Sequence, residues 1–219
     1  MIKAVIFDMD GLMIDSENIS FMCYQKILDK YHLTLSRDLY MSFLGKTIEN
    51  AFLIIEENFG LKLSIEDSLQ EFKGIMEEIV EQQGVSLKKG LIDLLKYLKD
   101  NHYQTIIATS SGRPRVHQLL QDTHVLNYFD DIVCGDEVKK GKPNPDIFIK
   151  ACEKLGVSPN ETLVLEDSEA GIQAAYSAQI PVICIPDMKY PDPQYQSMTT
   201  QILESLDLVI PYLKKIKQI

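Results

Sequence analysis

Two aspartates, Asp8 and Asp10, stand one residue apart directly behind the apolar run Ala4 to Phe7 and just ahead of Gly11. A short apolar run stopped by turn signals reads as a buried strand. Glycine lets the backbone turn sharply behind the second aspartate. Carboxylates at the carboxyl end of a buried parallel strand sit where open α/β sheets place their ligands. Crowded anions repel, so such a pair needs a cation or a shared proton. Alone, Asp8-Met9-Asp10-Gly11 reads equally well as a strand ending in a polar turn. A calcium loop does not fit: it spreads its oxygen ligands over about twelve residues with glycine in the middle, whereas here glycine follows the second aspartate at once.

Three further groups of reactive type follow. Thr109 and Ser110 close the strand-like run from Thr105, Lys142 lies in Gly141-Lys142-Pro143 just before a helix start, and Glu166 and Asp167 close Thr162-Leu163-Val164-Leu165. In a parallel sheet these ends share one edge. The carboxylates suit Mg²⁺, a hard ion that takes oxygen ligands and keeps several waters. The hydroxyls and the lysine suit phosphate oxygens. A carboxylate facing a phosphoryl group can attack it and form an acyl phosphate. Plainer readings stand beside these. Lys139, Lys140 and Lys142 could be a solvated loop, though Gly141 and Pro143 single out Lys142. Thr109 could bond locally. Glu166 is open between metal ligand and a place just behind the ligands, and Ser168 reads as a helix cap.

The elements that must position these groups are an alternation of strands and helices with one interruption. Between Asp15 and Gly84 no strand pattern occurs. Ser16 opens a helix with Ile19, Met22, Cys23 and Ile27 on one face, a second spans Thr47 to Asn58 and stops near Gly60, and a third runs from Ser64 to about Gln83. This predicts a helical insert at residues 16–84, with hinges near Asp15 and Gly84–Ser86. From Leu91 helix and strand alternate: helix stripes at Leu91 to Leu98, after Pro114, after Pro145 and from Ser168 to Ala178, with strands at 105–109, 131–134, 162–165 and 181–185. Leu208-Val209-Ile210 reads as a last short strand and Asp187 to Thr200 as an exposed loop. The fold class is α/β: a Rossmann-like three-layer core with a parallel sheet over residues 1–15 and 85–219, plus a small all-helical domain over 16–84.

The 219 residues are 45% hydrophobic and 25% charged, enough for one large core or a core with a small domain. A formal net charge of −10 and the lack of a basic block argue against nucleic acid as a partner. An anionic substrate then needs local positive charge. The four cysteines, Cys23, Cys134, Cys152 and Cys184, are scattered without a Cys-x-x-Cys pair and suit a reducing, cytoplasmic setting. His32, His102, His117 and His124 show no metal-ligand spacing. The amino terminus enters a strand directly, so no cleaved leader is expected, and no apolar run is long enough to cross a membrane.

Four segments together, Phe7-Asp8-Met9-Asp10-Gly11, Ala108-Thr109-Ser110, Gly141-Lys142-Pro143-Asn144-Pro145-Asp146-Ile147-Phe148 and Leu165-Glu166-Asp167-Ser168-Glu169-Ala170-Gly171-Ile172, resemble the haloacid dehalogenase superfamily of phosphotransferases. The insert is similar to that superfamily's small α-helical cap, and the subgroup resembled holds phosphoglycolate-type phosphatases, sugar-phosphate phosphatases and β-phosphoglucomutase. The resemblance implies that Asp8 is the nucleophile and a Mg²⁺ ligand, and that Asp10 is the general acid and base whose carbonyl also binds the metal. It implies that Thr109 and the Ser110 amide hold phosphate, that Lys142 neutralises Asp8 and phosphate together, and that Asp167 binds Mg²⁺ with Glu166 as ligand or support. The superfamily's dehalogenases lack the second aspartate, so Asp10 argues against that chemistry. The expected activity is a Mg²⁺-dependent phosphatase acting on a small phosphorylated metabolite through an aspartyl-phosphate, in a monomer or weak dimer. The alternative is a β-phosphoglucomutase-like isomerase with the same nucleophile. A mutase carries an arginine and a histidine in its cap for the second phosphate, and the matching positions here are Ile48 and Ser20, with only Lys46 nearby as a flexible charge. A non-catalytic binding protein is a third class, disfavoured by the intact set of aspartates, hydroxyl and lysine. Specificity is expected around Ser16 to Ser20 and Leu44 to Thr47.

Overall fold

The computed structural model describes residues 1–217. In chain order the strand β1 (Ala4–Phe7) precedes four helices, α1 (Ser16–Asp29), α2 (Arg37–Met41), α3 (Ile48–Phe59) and α4 (Ile65–Gln83). There follow α5 (Leu91–Asp100), β2 (Gln104–Ala108), α6 (Arg113–Leu120), β3 (Asp131–Val133), α7 (Asp146–Leu155), β4 (Thr162–Glu166), α8 (Glu169–Ser177), β5 (Val182–Cys184), α9 (Pro193–Gln196), β6 (Gln201–Ile202) and α10 (Val209–Ile216). The chain forms two compact units, Ser16–Gly84 and the remainder on either side of it.

Among the described residues of the larger unit six strands run parallel in the order β3-β2-β1-β4-β5-β6. Every residue of β1 and β4 is buried, as a strand covered on both faces requires. On one face Ile6, Ile106, Val164 and Val182 pack with Ile147 and Phe148 of α7 and Ile172 and Ala175 of α8. The alternate residues Val5, Phe7, Ile107, Leu163 and Leu165 are buried on the opposite face. Phe7 pairs with Ile107 on one side and Leu165 on the other. That register sets residue 8 level with residues 108 and 166, which decides the geometry of the site.

Two readings of the carboxyl-terminal stretch are corrected. Leu208-Val209-Ile210 is no strand: Leu206–Leu208 is a 3₁₀ turn and Val209 opens α10. Leu206, Val209 and Leu213 are buried at helical spacing, and a three-residue apolar run cannot by itself separate helix from strand. The sixth strand is instead Gln201–Ile202, an edge strand too short and polar to carry an apolar signal. The stretch read as an exposed loop, Asp187 to Thr200, includes the single turn α9, and Tyr195 and Met198 pack against the core.

The helical unit closes its own core. Tyr24 of α1 packs against Phe43, Phe52 of α3 and Phe72 of α4, with ring centroids 5.3, 5.4 and 4.7 Å away. Ser36, Thr47 and Ser64 each accept a hydrogen bond from a backbone N–H in the first turn of α2, α3 and α4. Gly60 ends α3 in the left-handed conformation. The turn α2 has no sequence pattern of its own, and its Tyr40 joins the aromatic cluster while donating a 2.5 Å hydrogen bond to Glu17.

Candidate active site

Asp8 leaves β1 with its amide bonded to the Leu165 carbonyl at 3.1 Å, so its side chain starts at the carboxyl edge between β2 and β4. Lys142 reaches this point from the loop before α7. Its ammonium donates to Asp8 Oδ1 at 2.5 Å, Glu166 Oε1 at 2.6 Å and the Ala108 carbonyl at 3.1 Å. Three donors find three acceptors, the full capacity of a lysine. All three partners are the first residues past, or the last residues of, strands held level by the β2-β1-β4 register.

Glu166 is wholly buried and its oxygens are committed. While Oε1 takes Lys142, Oε2 accepts from the Asp167 amide, the Ser168 amide and the Ser168 hydroxyl, each at 3.0 Å. A Cβ on Gly171, one turn into α8, would lie 1.8 Å from Glu166 Oε1, so the missing side chain leaves the space in which this carboxylate sits. Ser168 also caps α8 by accepting from the Gly171 amide.

The ligand oxygens of Asp8, Glu166 and Asp167 lie within 4.8 Å of one another. Fully ionised, three carboxylates against one ammonium would leave two negative charges in a buried cluster. Burial, with Glu166 and Asp10 adding repulsion against the pull of Lys142, raises the Asp8 carboxyl to about 7. Burial, then Glu166 and Asp8, push Asp167 well above the usual carboxylate range against the pull of Lys142. Asp167 Oδ1 is buried without a hydrogen-bond partner among the described residues. Gly11 turns with φ 80°, and a Cβ there would lie 2.3 Å from Asp167 Oδ2. An orphaned carboxylate oxygen, three carboxylates for one ammonium and an all-oxygen donor set fit a hard divalent cation. With Glu166 committed to Lys142 and backbone amides, Asp8 and Asp167 have oxygen capacity to spare.

Asp10 stands beside this cluster and is gripped at both oxygens. The Ser111 hydroxyl donates to Oδ2 at 2.8 Å and the Arg115 guanidinium to Oδ1 at 3.1 Å. Neither residue was singled out from the sequence. Ser111 adjoins the Ala108-Thr109-Ser110 segment, which is the signal that could have found it; Arg115 lies one turn into α6 and has none. The buried Thr109 hydroxyl accepts from the Ser111 amide at 3.1 Å, the local bond open to a strand-end threonine, and its own hydrogen remains for another acceptor. Ser110 is exposed at the same edge. The sequence-derived set Asp8, Asp10, Thr109, Ser110, Lys142, Glu166 and Asp167 thus converges on one edge of the sheet.

A family profile described as haloacid dehalogenase-like hydrolase matches residues 5–185. The chain belongs to the haloacid dehalogenase-like hydrolases. It is 34% identical over 181 residues to a phosphorylated carbohydrates phosphatase of Thermotoga maritima, covering 81% of this chain and 82% of the relative. It is 35% identical over 214 residues to (DL)-glycerol-3-phosphatase 1, mitochondrial, of Arabidopsis thaliana, covering 94% and 70%. Among solved structures, a Thermotoga maritima protein described provisionally as a beta-phosphoglucomutase aligns over 98% of this chain and all (100%) of that one, with a TM-score of 0.86 and 26% identity. No helix among the described residues is long and apolar enough to cross a membrane.

Other reactive residue types in this hydrolase have structural places. All four cysteines are buried. His32, His102 and His124 occupy left-handed turn positions with φ of 57°, 60° and 58°. A second acidic group, Cys134, Asp136 and Glu137, is neutralised within the fold. Arg113 donates to Glu137 Oε1, and Lys154 and Lys150 approach Glu137 Oε2 at 3.5 and 3.7 Å. Burial raises the Glu137 carboxyl, but Arg113, the Cys134 amide and Lys154 outweigh it and bring it from 4.5 to about 2. A carboxyl lowered in the folded state stabilises fully above its unfolded value and loses that contribution as pH falls toward the folded one. We expect Glu137→Gln to cost about 1 kcal/mol at pH 7 and much less near pH 2. Urea midpoints at both values check this, and an equal cost at both would remove the charge from the explanation.

Proposed function

We propose that this hydrolase is a Mg²⁺-dependent phosphatase that cleaves a small phosphorylated metabolite through an aspartyl-phosphate on Asp8. The observation that carries the reading is the buried Asp8–Lys142–Glu166 chain beside the orphaned Asp167 oxygen. It offers a carboxylate held in place by a cation, next to a second carboxylate, Asp167, with oxygen capacity for a divalent ion. Asp8, Asp167 and the Asp10 carbonyl would hold Mg²⁺, which supplies charge neutralisation to a phosphoryl group when bound. Asp8 attacks phosphorus, the ester P–O bond breaks, and Asp10, which enters the cycle protonated, delivers that proton to the departing oxygen. Asp10 then takes the proton from a water that attacks the phosphoenzyme, freeing inorganic phosphate and restoring Asp8. Ser111 and Arg115 fix the direction in which the Asp10 carboxylate points. Lys142 holds Asp8 and offsets charge on the transferring group. Thr109 and the Ser110 amide offer donors for its oxygens, and Glu166 supports Lys142.

The relatives named for phosphorylated carbohydrates and glycerol 3-phosphate support a polyol or sugar monophosphate as substrate. Ser20 and Ile48, where a mutase would carry cations for a second phosphate, are both uncharged. That supports water, rather than a sugar phosphate, as the acceptor.

A phosphate-release assay over glycerol 3-phosphate, glucose 6-phosphate and phosphoglycolate tests this. We expect release with Mg²⁺, none after exhaustive chelation, and recovery on adding the ion back. We also expect β-glucose 1-phosphate primed with a sugar bisphosphate to yield phosphate rather than glucose 6-phosphate. Full turnover in chelator removes the metal from the mechanism, and isomerisation faster than phosphate release makes the enzyme a mutase.

A further inference from the structure

Asp187 lies three residues past the end of β5, at the carboxyl edge that carries the active site. Its Oδ1 accepts from the Lys88 ammonium, and the Lys88 amide donates in turn to the Met13 carbonyl at 2.9 Å. Its other oxygen, Oδ2, is buried and has no hydrogen-bond partner among the described residues. Two buried, unpartnered carboxylate oxygens therefore occur in this region, Asp187 Oδ2 and Asp167 Oδ1. The side chains converge over Gly11, where a Cβ would lie 2.3 Å from Asp167 Oδ2 and 3.4 Å from Asp187 Oδ2. Asp187 is also one of the anions that push the Asp167 carboxyl up, after burial, Glu166 and Asp8.

A buried, unpaired carboxylate oxygen facing another is costly unless something positive or hydrogen-donating lies between them. Lys88 satisfies only Oδ1. The ligand oxygens of Asp8, Glu166 and Asp167 fall within 4.8 Å of one another, and Asp187 is outside that set. It is therefore too far to join them around one ion, yet close enough to take a hydrogen from the ion's water, and Mg²⁺ keeps several waters. We propose that Asp187, whose Oδ1 is paired with Lys88, is a positioning residue for the divalent cation through its Oδ2, which accepts a hydrogen bond from a water of the ion held by Asp8 and Asp167. This rests on the divalent-cation reading given above. Carboxylates in that role typically change metal affinity by about 10–100-fold.

Calorimetric titration of Mg²⁺ into the full-length protein tests it without recourse to turnover, using Asp187→Asn, Lys88→Met, the double variant Lys88→Met/Asp187→Asn and Asp167→Asn. We expect Asp187→Asn to weaken Mg²⁺ binding about tenfold or more. The double variant, which leaves no unpaired charge, should show the same loss and keeps the test valid if the single variant folds poorly. Lys88→Met keeps Oδ2 and should stay within about twofold of the native protein. Asp187→Asn within about twofold of native, while Asp167→Asn loses binding, overturns the proposal and leaves the cation site standing. So does a Lys88→Met loss equal to that of Asp187→Asn, which would make the ion pair a structural staple. If the native protein itself takes up no Mg²⁺, the cation reading falls, and this inference with it.

Discussion

Asp8→Asn is expected to end turnover, by roughly 10⁴-fold or more, and to end phosphoenzyme formation, while the protein remains folded. The amide has the shape of the carboxylate but no charge with which to attack phosphorus. The fold should tolerate the change because the native charge is itself unfavourable there: burial and the neighbouring anions hold the Asp8 carboxyl near 7. Lys142 keeps Glu166 and the Ala108 carbonyl as partners after the substitution. Asp10→Asn provides the contrast. It leaves the nucleophile intact but cannot move a proton, so turnover should fall by roughly a hundredfold or more. A good leaving group such as a nitrophenolate, which needs no proton, should recover much of the labelling step. The measurement is trapping of acid-stable, base-labile radiolabel on the protein from a labelled phosphomonoester. Label on Asp8→Asn at the native level would place the nucleophile elsewhere.

The parts of the site that were legible in the sequence share a property. Asp8, Thr109, Glu166 and Asp167 end runs of buried apolar residues, and such ends are marked by the change in residue type itself. Once the strands are parallel and adjacent, the register brings those ends together. Lys142 was marked differently, by the glycine and proline flanking it. What stayed hidden acts through contacts distant in the chain. Arg115 sits on an ordinary amphipathic helix turn, and nothing nearby shows that it meets Asp10, 105 positions away. Lys88 and Asp187 are 99 positions apart, and nothing beside either shows that they meet. The role of Glu166 was open for the same reason: whether a carboxylate is a ligand or a support depends on how many donors already occupy it. The misread end of the chain is a case of period rather than distance. Three apolar residues fit either element, and the buried partners that decide for helix, Leu206 and Leu213, lie outside the triplet.

Lys142→Met is expected to produce the largest combined loss, lowering activity by at least about a hundredfold and stability by about 3–5 kcal/mol in metal-free buffer. Methionine fills a similar volume, so the change isolates the charge and its three donated hydrogen bonds from packing. The native ammonium lies above the Phe148 ring, 5.0 Å from its centroid, and that contact is with a face a thioether also suits. What cannot be replaced is the neutralisation of Asp8 and Glu166. Glu166 is wholly buried, and without Lys142 its Oε1 faces Asp8 with nothing between them. An uncompensated buried charge costs far more than the net worth of the pair that was broken. Because Mg²⁺ would offset part of the same charge, adding it should restore more stability to Lys142→Met than to the native protein. Activity should not return with it, since a cation held by Asp8 and Asp167 does not re-create the donor that orients the attacking carboxylate. Urea midpoints with and without Mg²⁺, read beside phosphate release, separate the two effects. Native stability in metal-free buffer would show that Asp8 and Glu166 are already discharged by protons, and would take the ion pair out of the account of the fold.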